Sequence, residues 1–242
     1  MNSILFLSLV LAHIIGDFYL QTDKYCQQKE ERKFKSWFLY VHTIIICLLS
    51  WVMIPSCNFG LWALLIAFSH FVIDTVKIYC NKGLWSFVID QLLHLGILIA
   101  ISNIYEPTKE LPLQILDSSS LFSIPLLILA ILLCIKPANI LIKLILEKYK
   151  VGESESCNNI KNAGALIGNL ERILTIVFVL FGQFEAIGFI VAAKSILRFK
   201  DTDTAKTEYV LAGTFLSFGM AILCGLMVKL SITNIEIISL LH

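Results

Sequence analysis

The sequence predicts an all-α fold, a polytopic transmembrane bundle of about seven to eight spans, and three observations predict it. First, 57% of the 242 residues are hydrophobic and only 15% are charged, with a mean hydropathy of +0.81. A water-soluble domain needs a charged surface that this composition does not supply. Second, the apolar residues fall in runs of roughly 20, the length a helix needs to cross a hydrocarbon core. Third, the basic residues gather in alternate connections between those runs.

Taken in order, the runs are 3–20, 38–55, 61–79, 87–103, 121–145, 163–181, 184–199 and 208–230. The first lacks the basic leading segment and the small-residue cleavage pattern of a signal peptide, so it reads as a retained span. The boundary at Gly182-Gln183 reads either as a break between two spans or as one long kinked or re-entrant segment. Fourteen of the 19 Lys and Arg lie in alternate connections: Lys24, Lys29, Arg32, Lys33 and Lys35; Lys77 and Lys82; Lys143, Lys148, Lys150 and Lys161; Arg198, Lys200 and Lys206. The positive-inside bias puts these in the cytoplasm and the amino terminus outside.

Residues 1–103 form a front half of four helices, 104–120 an outer connection carrying Glu106, Pro107, Glu110, Pro112 and Asp117, and 121–242 a back half. The three parts are expected to form one integrated membrane domain. The seven cysteines contain no C-x-x-C pair, so neither a disulfide framework nor a thiolate zinc site is indicated. There is no basic domain and no interleaving of basic with aromatic residues, which excludes nucleic acid as the expected partner.

Chemistry enters where ionisable residues interrupt the apolar runs. His13 and Asp17 lie late in the first run, His42 early in the second, His70 and Asp74 late in the third, and Asp90 and His94 early in the fourth. In an up-and-down bundle these positions share one depth, near the basic connections. Three of the four helices use an i, i+4 His/Asp pair, which shares a helix face with about 6 Å along the axis between its members. Imidazole nitrogens and carboxylate oxygens converging from several helices are the usual ligands of zinc, manganese or iron. Bundle cores build dinuclear carboxylate/histidine sites this way. A single such pair is explained as well by interhelical hydrogen bonding. Seven ionisable groups at one depth are a costly way to pack, since a charged group there costs about 2.5–3.5 kcal/mol even on the lenient scale.

The back half adds Glu171 and Arg172 in "GNLERILTIVF", and Lys194 and Arg198 four apart in "GQFEAIGFIVAAKSILRFK". Lys194 and Arg198 can snorkel to headgroups. Arg172 sits about half-way along its run and needs a carboxylate neighbour or an anionic ligand. Cations beside a metal suit a phosphate ester or other anionic substrate: the metal acidifies a water, Arg and Lys hold developing charge, and a carboxylate such as Glu171 serves as base.

The stretches "HIIGDFYLQTDK", "SHFVIDTVK", "DQLLHL" and "LERILTIVF…GQFEAIGFIVAAKSILRF…EYVLAGTFLSF" together resemble an uncharacterised bacterial family of integral membrane proteins, a domain-of-unknown-function family, from Leu11 to about Gly225 outside 104–160. The front-half pattern is also distantly similar to inner-membrane metal-dependent hydrolases of the LexA-binding type, although that group's full His/Asp signature is not found here. This second resemblance implies a membrane-embedded metal site acting on a lipid or phosphorylated compound.

Three functions follow as expectations. The first is a metal-dependent hydrolase of an anionic, phosphorylated or lipid-like substrate. It would hold one or two divalent transition ions, zinc or manganese, on His13, Asp17, His42, His70, Asp74, Asp90 and His94, with Glu171, Arg172, Lys194 and Arg198 as catalytic residues. The second is a transporter or ion-coupled carrier using the same Asp and His. The third is a non-catalytic sensor or stress or defence component. Membrane lipids are the expected surroundings, and a homo-oligomer or protein partner is compatible with all three.

Overall fold

The computed structural model describes residues 2–106, 123–151, 163–198 and 204–240. All regular structure among them is helical. The order is α1 (Ser3–Ile14), running directly into a π-helical stretch (Ile15–Tyr19); α2 (Asp23–Arg32) and a 3-10 turn (Lys33–Lys35); α3 (Trp37–Met53) and a 3-10 turn (Cys57–Phe59); α4 (Gly60–Tyr79); α5 (Leu84–Ile104); α6 (Ser123–Lys148); α7 (Ala163–Leu180); α8 (Phe184–Arg198); and α9 (Thr204–Leu240). Each apolar run has become a helix. α2 is an addition, formed within a connection the hydropathy leaves unstructured. Of the outer connection at 104–120, the part from 107 onward lies outside the described residues.

Among the described residues, four helices are long and apolar enough to cross a membrane: Cys57–Tyr79, Leu84–Ile104, Ile124–Lys148 and Thr207–Thr233. Ser3–Tyr19 and Trp37–Met53 are apolar but shorter. The 15 residues of α8 rise about 22 Å at 1.5 Å each, less than a hydrocarbon core of about 30 Å. Among the described residues the structure therefore supports four crossing helices by length and composition, where the runs predict seven to eight.

Two compact units divide the chain, Met1–Pro125 and Leu126–His242. In the first, α1 packs on α3 and α5, and α4 packs on the same two helices. Asn2 caps α1, its side-chain oxygen accepting the Leu5 N–H at 3.0 Å. Every residue of α1 from Leu7 to Ile14 is buried. α3 buries a stripe of four-residue period, Phe38, His42, Ile46 and Ser50. α4 buries Ala63, Ile66, Ala67, His70 and Asp74, while Leu61, Leu64, Phe68, Val72 and Val76 are exposed. That pattern reverses a water-soluble helix, with ionisable groups inside and bulky apolar ones outside, as a lipid-facing helix requires. Gly16 lets α1 and α3 close on each other: a Cβ there would stand 2.3 Å from Ile46 Cδ1.

In the second unit α7 packs on α8 and α9. Gly225 of α9 lies against Val179 of α7, where a Cβ would come within 2.9 Å of the valine Cβ. The chain breaks between α7 and α8 at Gly182, whose φ of +71° suits glycine. Lys229 closes the break by donating to the Val179 carbonyl at 3.2 Å, satisfying a helix-end acceptor. The sequence left a break or a continuous segment open at this point; the structure has the break.

Candidate metal centre

Four helices of the front unit, α1 with its π-helical stretch, α3, α4 and α5, bring the seven ionisable residues together. Asp17 lies at the centre, and the π-helical stretch Ile15–Tyr19 puts it there. Such an inserted residue widens one turn and re-aims the side chain, a device frequent at functional sites. Its Oδ1 lies 3.2 Å from His42 Nε2, 3.3 Å from His70 Nε2 and 3.8 Å from His13 Nδ1. His42 Nε2 and His70 Nε2 are 3.0 Å apart. The His70 and His94 rings approach to 4.2 Å between centroids, and those of His13 and His94 to 4.9 Å. Three sets of donor atoms lie mutually within 4.8 Å: His13, Asp17 and His94; Asp17, His42 and His70; His70, Asp74 and His94.

Burial makes this arrangement expensive unless something else compensates it. His42 is 1% exposed, His70 2% and His94 4%. Asp17 Oδ1 has no aligned hydrogen-bond donor despite its close neighbours, and His42 Nδ1 and His94 Nε2 have no hydrogen-bond partner either. The tautomer of His94 follows from its other nitrogen. Nδ1 lies 2.9 Å from the Asp90 carbonyl, which only accepts, so Nδ1 carries the proton and Nε2 is left as a bare lone pair. His13 follows in the same way. Gln91 donates to Asp90 Oδ2 at 3.0 Å, which turns its carbonyl oxygen toward His13 Nε2 at 3.4 Å. The proton of His13 is then on Nε2, and its Nδ1 lone pair faces the Asp17 carboxylate. Lone pairs gathered from three helices around one carboxylate repel each other without a cation among them.

The other two carboxylates have lysines. Lys29 of α2, only 6% exposed, donates to Asp74 Oδ2 at 2.7 Å. Lys77 donates to Asp90 Oδ2, with 39% of the lysine side chain exposed and 1% of the aspartate. Asp90 belongs to none of the three donor sets; it orients His94 through its carbonyl and His13 through Gln91. Among the described residues, no Lys or Arg is paired with Asp17. Sequence reasoning missed Lys29, whose connection reads only as a basic loop. The available signal was Tyr25 four residues earlier on the same face of α2, since Tyr25 stacks on Phe38 of α3 at 4.3 Å and so turns that face inward.

A cavity of about 10 Å³ adjoins the cluster, lined by His13, His70 and His94 together with Leu9, Ile46, Ile66 and Leu98, and by Ser50 and Ser69. It has room for a single water molecule.

The back-half residues are engaged within their own unit. Lys194 donates to Glu171 Oε2 at 2.7 Å, so its ammonium pairs with a carboxylate. Arg172, 2% exposed, donates to four neutral acceptors instead of the carboxylate its depth leads one to expect. They are the Cys134 carbonyl, Ser217 Oγ at 2.8 Å, Asn139 Oδ1 and Asn169 Oδ1 at 2.7 Å. Arg198 ends α8; its side chain lies outside the described residues.

Residues 5–123 match the model of a family described as "Protein of unknown function (DUF3307)". That stretch is just under half of the chain and holds all seven cluster residues and Lys29 and Lys77. The match accords with the likeness to a domain-of-unknown-function family over the front half and does not extend to the back half. No curated protein and no solved structure matches, so the likeness to hydrolases of the LexA-binding type has no support beyond the His/Asp pattern.

Proposed function

We propose that this chain is a membrane-embedded metalloprotein, and that its metal, held by Asp17, His42 and His70, activates a water for hydrolysis of an anionic, phosphorylated or lipid-like substrate. One observation carries the reading. The donor atoms of these residues stand 3.0, 3.2 and 3.3 Å apart. Ligand atoms at about 2.0–2.1 Å from a tetrahedral zinc are separated by about 3.3 Å. Three protein ligands, one of which, His70, lines a water-sized cavity, suit a catalytic zinc site with the fourth position left to water. Manganese is the second candidate for the same donors. His94, with its free Nε2 lining the cavity, is the group placed to take the water's proton. Lys77, paired with Asp90 but with 39% of its side chain exposed against 27% for Lys194 in its own pair, is the group placed to meet an anionic substrate. Glu171, Arg172, Lys194 and Arg198 come second in this proposal, since Glu171 and Lys194 already neutralise each other.

We also place the shorter helices at 3–19 and 37–53 at bilayer depth, with the basic connections cytoplasmic. The test is elemental analysis of the chain purified in detergent, paired with phosphate release from phosphatidic acid vesicles. Near-stoichiometric zinc or manganese is expected, lost together with phosphate release in Asp17→Ala and His42→Ala. Metal retained in both variants would sink the assignment. The buried Lys29–Asp74 pair favours one second reading, an ion-coupled carrier. Metal-independent proton uptake into proteoliposomes that needs Asp74 would favour that reading instead.

A further inference from the structure

The front unit contains enough donors for two ions, and its charges decide between one and two. Beside the set Asp17, His42 and His70, the set His13, Asp17 and His94 offers no carboxylate other than the same Asp17, whereas the set His70, Asp74 and His94 brings a new one, Asp74, and shares His70. The Nε2 of His70 has one lone pair, already committed 3.0 Å from His42 Nε2 and 3.3 Å from Asp17 Oδ1. One of the two oxygens of Asp74, Oδ2, is held by Lys29 Nζ at 2.7 Å, the spacing of a charge-assisted hydrogen bond. Lys29 reaches that oxygen from α2, a helix whose neighbouring residues Lys24, Gln27, Glu31 and Arg32 are exposed. An ammonium carried so far inward from a surface helix occupies the place of a cation.

We propose that the centre is mononuclear, with the Lys29 ammonium standing where a second metal ion would bind. This rests on the metal site proposed above. Three carboxylates, Asp17, Asp74 and Asp90, face two ammoniums, Lys29 and Lys77, which leaves one negative charge, on Asp17. A divalent ion with a bound hydroxide brings the buried cluster to neutrality. Two divalent ions counted the same way, each with its hydroxide, would leave one uncompensated positive charge in a low-dielectric interior while both lysines stay. Lys29 is thus a positioning residue: it keeps Asp74 away from the metal and sets the number of ions.

The experiment loads the full chain with manganese in detergent and measures ions per chain. The wild type is expected to hold one, Lys29→Met to rise toward two as Asp74 is released, and Lys29→Arg to stay at one. Two ions in the wild type, or one in Lys29→Met, overturns the inference and leaves the metal site standing. No ion in the wild type overturns both. Electron paramagnetic resonance of the manganese-loaded wild type decides without a variant: the six-line signal of an isolated ion supports the inference, and an exchange-coupled multiline signal refutes it.

Discussion

Asp17 is one carboxylate with three imidazole nitrogens within 3.8 Å and no aligned donor. The site's chemistry turns on that residue, so Asp17 and Asp90 should behave differently. Asp17→Asn should abolish metal retention. Asp90→Asn keeps the carbonyl that orients His94 and should retain most of the metal, with affinity lowered about 10–100-fold through the weakened outer shell. Metal titration of both variants checks the contrast, and equal loss in both would show that the two carboxylates are equivalent ligands. Gly16 offers a second residue-level test. Gly16→Ala drives a methyl into Ile46 Cδ1, an overpacking change of about 1–3 kcal/mol. It should lower the thermal midpoint in detergent, and the added change Ile46→Val, which removes that methyl, should restore it. The His/Asp spacing was legible at this scale because i, i+4 pairs share a face by helix geometry. The lone pairs facing Asp17 were not legible, because tautomers follow from Gln91 and the Asp90 carbonyl, which come into place only in the folded helices.

At the scale of elements, the apolar runs announced their helices closely: 61–79 is the helix Gly60–Tyr79, and 163–181 is Ala163–Leu180. Hydropathy reports such helices because a backbone in lipid must satisfy its own hydrogen bonds. The same measure was blind to α2, which is polar, and to the π stretch, which changes the winding of a run and not its composition. In the back unit, Arg172 joins α7 to α6 and α9 through neutral acceptors. Arg172→Met should cost about 1.5–3 kcal/mol for the lost charge-assisted hydrogen bonds. Lys at this position should not rescue it, because a single ammonium cannot reproduce the planar fork that spans four acceptors. Unfolding midpoints of the two variants measure this. A Lys variant as stable as the wild type would mean that charge alone holds the three helices.

For the whole molecule, the question is which side each connection faces. Cys57 and Cys80 are both exposed and bracket α4, one of the four helices long and apolar enough to cross. Variants keeping one of the two as sole cysteine should react with a membrane-impermeant maleimide from opposite sides of a sealed vesicle, Cys80 from the cytoplasmic side with the basic connections. Labelling of both from one side would refute a crossing by α4.

Composition and periodicity determined, by themselves, a helical apolar chain and one shared level for His13, Asp17, His42, His70, Asp74, Asp90 and His94. Both follow from distances along a helix, which are fixed by its rise and turn. Only the tertiary structure decided that Asp74 and Asp90 are held by Lys29 and Lys77 while Asp17 is left to the imidazoles, and that Arg172 rests on amides and a hydroxyl. Those outcomes depend on which side chains from distant parts of the chain meet in a buried space, where each charge must find a partner at contact distance, and spacing along one helix carries no information about that.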